Sequence, residues 1–150
     1  MDEQEQQLRE RVRNSALASL TRREHSRTEL GRKLASKQHP PELIDETLHW
    51  LEELGYVDDE RFVQVFIRAS LGSGKGPVRI SHELRQKGIA SGHIESALAQ
   101  ADADWFELAR ELLLKKYGEP AREGKEKAKQ IRYLQYRGFQ PDHIFCLFDR

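Results

Sequence analysis

Sulfur is nearly absent from this chain: one cysteine, Cys146, and one methionine in 150 residues. A single thiol excludes an internal disulfide framework. Long apolar runs are missing too. No stretch approaches the roughly 20 apolar residues of a membrane span. The acidic opening MDEQEQQLRE lacks the apolar core of a secretory signal and is not expected to be one. Neither charge is in excess, since 25 Lys and Arg stand against 25 Asp and Glu, which argues against a non-specific coat for nucleic acid. No segment alternates apolar and polar residues with β-branched enrichment, so strands are not expected. What remains is 37% hydrophobic and 33% charged, enough to bury one core or a string of small ones. A cytoplasmic, all-α protein is the simplest expectation.

What is present is a repeat. Three segments align at an offset of 50 without gaps: LASKQHPPELIDETL from Leu34, LRQKGIASGHIESAL from Leu84 and LQYRGFQPDHIFCLF from Leu134. Leu34, Leu84 and Leu134 correspond. So do Lys37, Lys87 and Arg137; Ile44, Ile94 and Ile144; and Leu48, Leu98 and Phe148. The register extends backward through Val12, Phe62 and Leu112, and through Leu17, Ile67 and Tyr117. Each unit reads as three helices. In the first, Leu8, Val12, Ala16 and Leu20 keep helical spacing. Ser26-Arg27-Thr28-Glu29 has the form of a capping box, and Pro41 suits a first helical position. The second unit opens at Asp58 or Asp59, its middle helix runs from Pro77 to Gly88, and Ser91 is the expected cap of its third helix. The third opens at Asp104, has a longer middle helix from about Arg122 to Arg137, and starts a short last helix at Pro141. The expectation is three tandem three-helix repeats in an elongated, modular arrangement, with domains at 1–55, 56–102 and 103–150; neighbouring units support one another's small cores.

Charge follows the same period. Residues 21–37 carry a net +4, 41–60 carry −8, 68–88 carry +4, 89–107 carry −4 and 110–137 carry +5. A neutral total therefore hides a basic middle helix in every unit. Together these helices form a candidate stripe for an acidic partner, either a nucleic acid or an acidic protein face. Its members are Arg27, Arg32, Lys33 and Lys37 in the first unit; Arg68, Lys75, Arg79, Arg85 and Lys87 in the second; and Lys125, Lys129, Arg132 and Arg137 in the third.

No catalytic constellation stands beside the stripe. The glycine-dense turn LGSGKGPVRI, residues 71–80, fails as a phosphate-binding loop. With Gly74-Lys75 as its Gly-Lys pair, Ala69 falls where the first glycine belongs and Gly76 where Ser or Thr belongs, and a helix rather than a strand precedes it. The turn is instead expected to end one helix and start the next at Pro77. The six histidines form no zinc-spaced set. Cys146, flanked by Phe145, Leu147 and Phe148, reads as a buried structural thiol. Tyr56 is expected to be partly exposed. Tyr133 and Tyr136 interleave with bases on the third middle helix, the one pattern suited to stacking on a base or filling a partner's groove.

These residues also carry a resemblance. Gly55-Tyr56-Val57-Asp58-Asp59, Arg61-Phe62, Gly74-Lys75-Gly76-Pro77 and Leu84-Arg85-Gln86-Lys87-Gly88 resemble the central block of the RecX family, the bacterial regulatory proteins of RecA recombinase. REHSRTELGRKL (23–34), KYGEP (116–120) and YLQYRGF (133–139) are similar to the family's flanking segments, so the likeness spans about residues 10–148. It implies a non-enzymatic modulator with no cofactor. Such a protein binds RecA and the RecA–DNA filament, lies along the filament groove, and inhibits strand exchange, ATPase and co-protease activity. The expected state is a monomer with, at most, a weak direct contact to DNA and none to membrane. The alternative is a DNA-binding helical module of helix-turn-helix type. Against it, the third helices are acidic or neutral where a recognition helix offers Asn, Gln or Arg.

Overall fold

The computed structural model describes residues 2–148, among which there are nine helices and no strand. They are α1 (Glu3–Arg22), α2 (Arg27–Ser36), α3 (Pro41–Glu53), α4 (Asp59–Gly72), α5 (Pro77–Gln86), α6 (Ser91–Gln100), α7 (Trp105–Tyr117), α8 (Gly124–Tyr136) and α9 (Pro141–Phe145). The period of 50 is visible in their ends. Helices α2 and α5 begin at 27 and 77, and α3, α6 and α9 begin at 41, 91 and 141.

Local chemistry accounts for these boundaries. Ser26 Oγ accepts from the Glu29 amide at 3.1 Å and the Glu29 carboxylate accepts from the Ser26 amide at 3.3 Å, a complete capping box. Asp58 and Asp104 accept from the amides three residues on, of Arg61 and Glu107, both at 3.1 Å. Prolines at 41, 77 and 141 open helices with no loss of a hydrogen bond. Two boundaries differ from expectation. Ser91 is already helical and Ala90 stands at the cap without a side-chain bond. Helix α8 begins at Gly124 rather than Arg122 because Gln130 holds the preceding chain out of the helix. Its Oε1 accepts from the Ala121 amide at 2.9 Å and its Nε2 donates to the Glu119 carbonyl at 3.3 Å. Gln130 is buried where the other two repeats have Leu30 and Ile80.

The chain forms two compact units. The first comprises residues up to Val63 with Lys87–Ile89, and the second comprises Gln64–Gln86 and the residues from Ala90 onward. The first is centred on Val12, Ala16, Leu30, Leu34, Ile44, Leu48, Leu51 and Val57. In the second, Ala109, Leu113, Leu134, Phe139 and Ile144 form a core, and Ile80, Leu84 and Ile94 are also buried. Truncating any of the fully buried leucines at 34, 84 or 134 is in the class that costs about 2–5 kcal/mol.

Two imidazoles lie inside as well. His25 is buried, with Nδ1 facing the Arg23 carbonyl oxygen at 3.1 Å. His143 is buried against an edge-on Phe106 ring at 4.8 Å, and its Nδ1 accepts from the Gln140 amide at 3.2 Å. Burial pushes both below the ordinary imidazole range.

Candidate functional site

The glycine-dense turn is where the candidate site is best defined. Its amides are already committed. The Lys75 amide donates to the Ser70 carbonyl, and the Gly76 amide donates to the Arg137 carbonyl at 2.7 Å. The Val78 amide then donates to the Gly138 carbonyl at 2.9 Å. The turn that starts α5 is therefore clamped, main chain to main chain, against the turn that ends α8. The Arg137 guanidinium completes the clamp by donating to the carbonyls of Gly74, at 3.0 Å, and Ser73. A phosphate would have to displace all of this. The turn is a joint, not a cradle.

The first unit contains the same joint, 50 residues earlier. Ser26 Oγ, at the position of Gly76, donates to the Lys87 carbonyl at 2.7 Å. Lys87, at the position of Arg137, sends its ammonium to Glu29 at 2.6 Å. Gly88 takes the place of Gly138, and both have positive φ, +84° and +96°. A Cβ on Gly88 would lie 2.7 Å from Thr28 Cγ2, and one on Gly138 would lie 2.6 Å from the Arg79 amide nitrogen. Only glycine allows these turns to approach so closely.

Several stripe residues are consumed by this architecture. Lys87 and Arg137 hold the joints. Lys75 and Arg79 both pair with Glu83, at 2.8 and 3.3 Å, and the Arg79 guanidinium lies 5.3 Å from the centre of the Tyr136 ring. Arg27 pairs with Glu52 at 2.9 Å and Asp45 at 3.2 Å. Lys37 reaches Ser15 Oγ at 3.4 Å, and Lys33 is held below the ordinary lysine range by burial and then by the like charges of Arg22, Lys37 and Arg23. Arg32 is exposed on α2. Arg68, Arg85, Lys125, Lys129 and Arg132 are exposed and make no ion pair or hydrogen bond among the described residues. Sequence reasoning listed the bases but missed the carboxylates that occupy them, Glu29 and Glu83. The Arg79–Glu83 spacing of four was the available signal.

Cys146 departs from expectation. It is exposed, because α9 ends at Phe145 and turns it outward, with Sγ 3.6 Å from the His143 carbonyl oxygen. Tyr56 is 54% exposed, in line with its place in a link. Among the described residues, no group of His, Cys, Asp and Glu has the makings of a metal site, and no helix is long and apolar enough to cross a membrane.

The joint in the first unit makes a pH prediction. Burial raises the Glu29 carboxyl, but hydrogen bonds from Arg23 and Lys87 outweigh it and bring it to about 2. A carboxylate depressed on folding contributes stability above its unfolded value near 4.5, lost as pH falls toward 2; the contribution is on the order of 2 kcal/mol after solvent screening. His25 and His143, also depressed on folding, stabilise fully above the ordinary value of 6.5 and lose that contribution as pH falls below it. Thermal melts against pH should therefore show two losses, one beginning near 6.5 and one between 4.5 and 2. In Lys87→Gln the second should be smaller and should end at higher pH. Identical acid limbs in the two proteins would remove the Lys87–Glu29 pair from the account.

Comparison with known proteins agrees with the repeat. Models of the three successive three-helix domains of RecX match residues 13–51, 58–98 and 102–148. The regulatory protein RecX of Halorhodospira halophila is 43% identical over 137 residues, covering 90% of this chain and 84% of its own. That of Salmonella typhimurium is 42% identical over 145 residues, covering 89% and 87%. The crystal structure of RecX from Lactobacillus salivarius superposes with a TM-score of 0.74 at 26% identity, covering 94% of each chain. With all three domains matched in order and identities above 40% along most of its length, this chain belongs to the RecX family of regulatory proteins.

Proposed function

We propose that this chain is a non-enzymatic regulator that binds RecA recombinase and its nucleoprotein filament in the cytoplasm and lowers its ATPase, strand-exchange and co-protease activities. The observation that carries this reading is the match of all three repeats to the family of proteins named regulatory. The physics is compatible with it. Exposed cations at Arg68, Arg85, Lys125, Lys129 and Arg132 are left over after the joints are satisfied. Repeated weak contacts to a polymer of identical subunits gain from effective concentration. A monomer suffices for this, and no cofactor is called for.

The helix-turn-helix alternative finds little support in the third helices. Helix α3 opens with Pro41-Glu42-Leu43-Ile44 and α6 with Ser91-Gly92-His93-Ile94, neither suited to reading base edges in a major groove.

The test is the DNA-dependent ATPase of RecA titrated with this protein, with DNA in enough excess that competition for lattice is removed. The expected result is a saturable fall in ATPase. Unchanged ATPase together with tight, salt-dependent binding to bare DNA would transfer the reading to the alternative.

A further inference from the structure

Two acidic stretches of the chain each carry an aromatic that the cores leave outside. Tyr56 lies between α3 and α4 and is 54% exposed, and Phe106 lies in the first turn of α7 and is 47% exposed. They are fifty residues apart and so hold the same position in successive repeats. One belongs to each compact unit. Both are mounted firmly. The Tyr56 amide donates to the Leu51 carbonyl at 2.9 Å, and the Arg61 guanidinium donates to the carbonyls of Gly55 and Tyr56 at 2.9 and 3.3 Å. The next residue, Val57, is buried in the first core. Phe106 is held on its helix with its ring in edge contact with the buried His143 at 4.8 Å.

Carboxylates flank each ring along the chain. Residues 52–60 hold Glu52, Glu53, Asp58, Asp59 and Glu60 and no base, and residues 102–111 hold Asp102, Asp104, Glu107 and Glu111 against Arg110. Arg61, which follows the first stretch, is taken by Glu24. Glu60, Asp102 and Glu111 are exposed and make no ion pair or hydrogen bond among the described residues. Such a setting repels phosphates, so neither ring is placed to stack on a nucleic acid. An aromatic set among carboxylates is complementary to an apolar pocket bordered by lysine or arginine on a protein. A ring with few rotatable bonds on a fixed backbone loses little freedom when it binds. One exposed ring is ordinary on a protein surface. A ring that recurs with its acidic setting at the repeat period points to a partner that offers the same pocket more than once.

We infer that Tyr56 and Phe106 are repeated anchors, each seated in an apolar pocket rimmed by lysine or arginine on one subunit of a protein polymer. The inference rests on the proposed regulation of the RecA filament. It adds to the basic middle helices a second contact of opposite sign, made to protein and not to nucleic acid. Two linked anchors on identical subunits gain from effective concentration, so neither needs to bind tightly alone.

The test titrates the DNA-dependent ATPase of RecA, with DNA in excess, with the full chain and with Tyr56→Ala, Phe106→Ala and the double variant. Each single substitution should raise the half-maximal concentration about tenfold, and the double about a hundredfold, because independent anchors multiply. Binding of bare DNA should be unchanged in all three. A Glu60→Lys, Glu111→Lys variant should also inhibit less well, since it sets cation against cation. It alters only exposed side chains, so it decides the matter if an alanine variant melts early. Parent-like inhibition by the double alanine variant would overturn the inference and leave the regulatory reading standing. Stronger inhibition by the lysine variant would do the same and would mark the opposing surface as acidic. An effect confined to one ring would overturn the repeated anchoring. A flat curve for the parent is the separate result that removes the regulatory reading, and this inference with it.

Discussion

Gly138→Ala is expected to lower the thermal midpoint sharply, at a cost of about 3–5 kcal/mol. Two penalties combine. The residue sits at φ +96°, a conformation that costs a non-glycine residue roughly 1–3 kcal/mol. The new methyl group would also meet the Arg79 backbone, 2.6 Å from its nitrogen, and overpacking against main chain adds roughly 1–3 kcal/mol. Neither can relax cheaply, because the Gly76 and Val78 amides fix the two turns together. Gly88→Ala should behave alike in the first unit, with the methyl against Thr28. Gly92→Ala is the control. That glycine is helical and a Cβ on it would meet nothing within 4 Å, so alanine should be neutral or stabilising by about 0.5–1 kcal/mol. Urea or thermal unfolding of the three variants reads the contrast directly. Equal effects at 92 and 138 would mean that the joint is not held as described.

The second large effect is functional. Combined reversal of Lys125, Lys129 and Arg132 to glutamate should reduce inhibition of RecA ATPase more than tenfold with little change in the thermal midpoint. These side chains are exposed and unpaired among the described residues, and surface changes of this kind usually alter stability by less than about 0.5 kcal/mol each. Acidic residues in the first turn of α8 are favourable to the helix besides. Reversal of Lys87 or Arg137 should do the opposite first. Lys87→Glu sets a carboxylate against Glu29, and Arg137→Glu sets one against the carbonyls of Ser73 and Gly74. Both should unfold more easily, so any loss of inhibition would be a loss of protein. For the same reason, reversing Arg79, Arg85 and Lys87 together would mix two kinds of cation and report on neither.

The sequence alone carried the repeat because a core position recurs wherever the same helices pack. Leu34, Leu84 and Leu134 are fully buried, and the capping box at Ser26–Glu29 forms as its residues require. It did not carry the joints. Their partners lie about 60 residues apart, as Ser26 and Lys87 or Gly76 and Arg137, and the bonds are largely main chain, which has no composition to read. Charge counting found the basic helices but treated Lys87 and Arg85 as equals, although one is tied to Glu29 and the other faces solvent. The burial of His25 and His143 and the exposure of Cys146 were likewise invisible, since each depends on which side of a short turn faces the core.

One measurement bears most directly on the claim that this is a regulator acting through its open cations. RecA ATPase, with DNA in excess, is titrated with the parent protein and with the Lys125→Glu, Lys129→Glu, Arg132→Glu variant at a temperature where both are folded. The account predicts saturable inhibition by the parent and a half-maximal concentration more than tenfold higher for the variant. Superposed curves would contradict the assignment of the surface, and a flat parent curve would contradict the regulatory function itself.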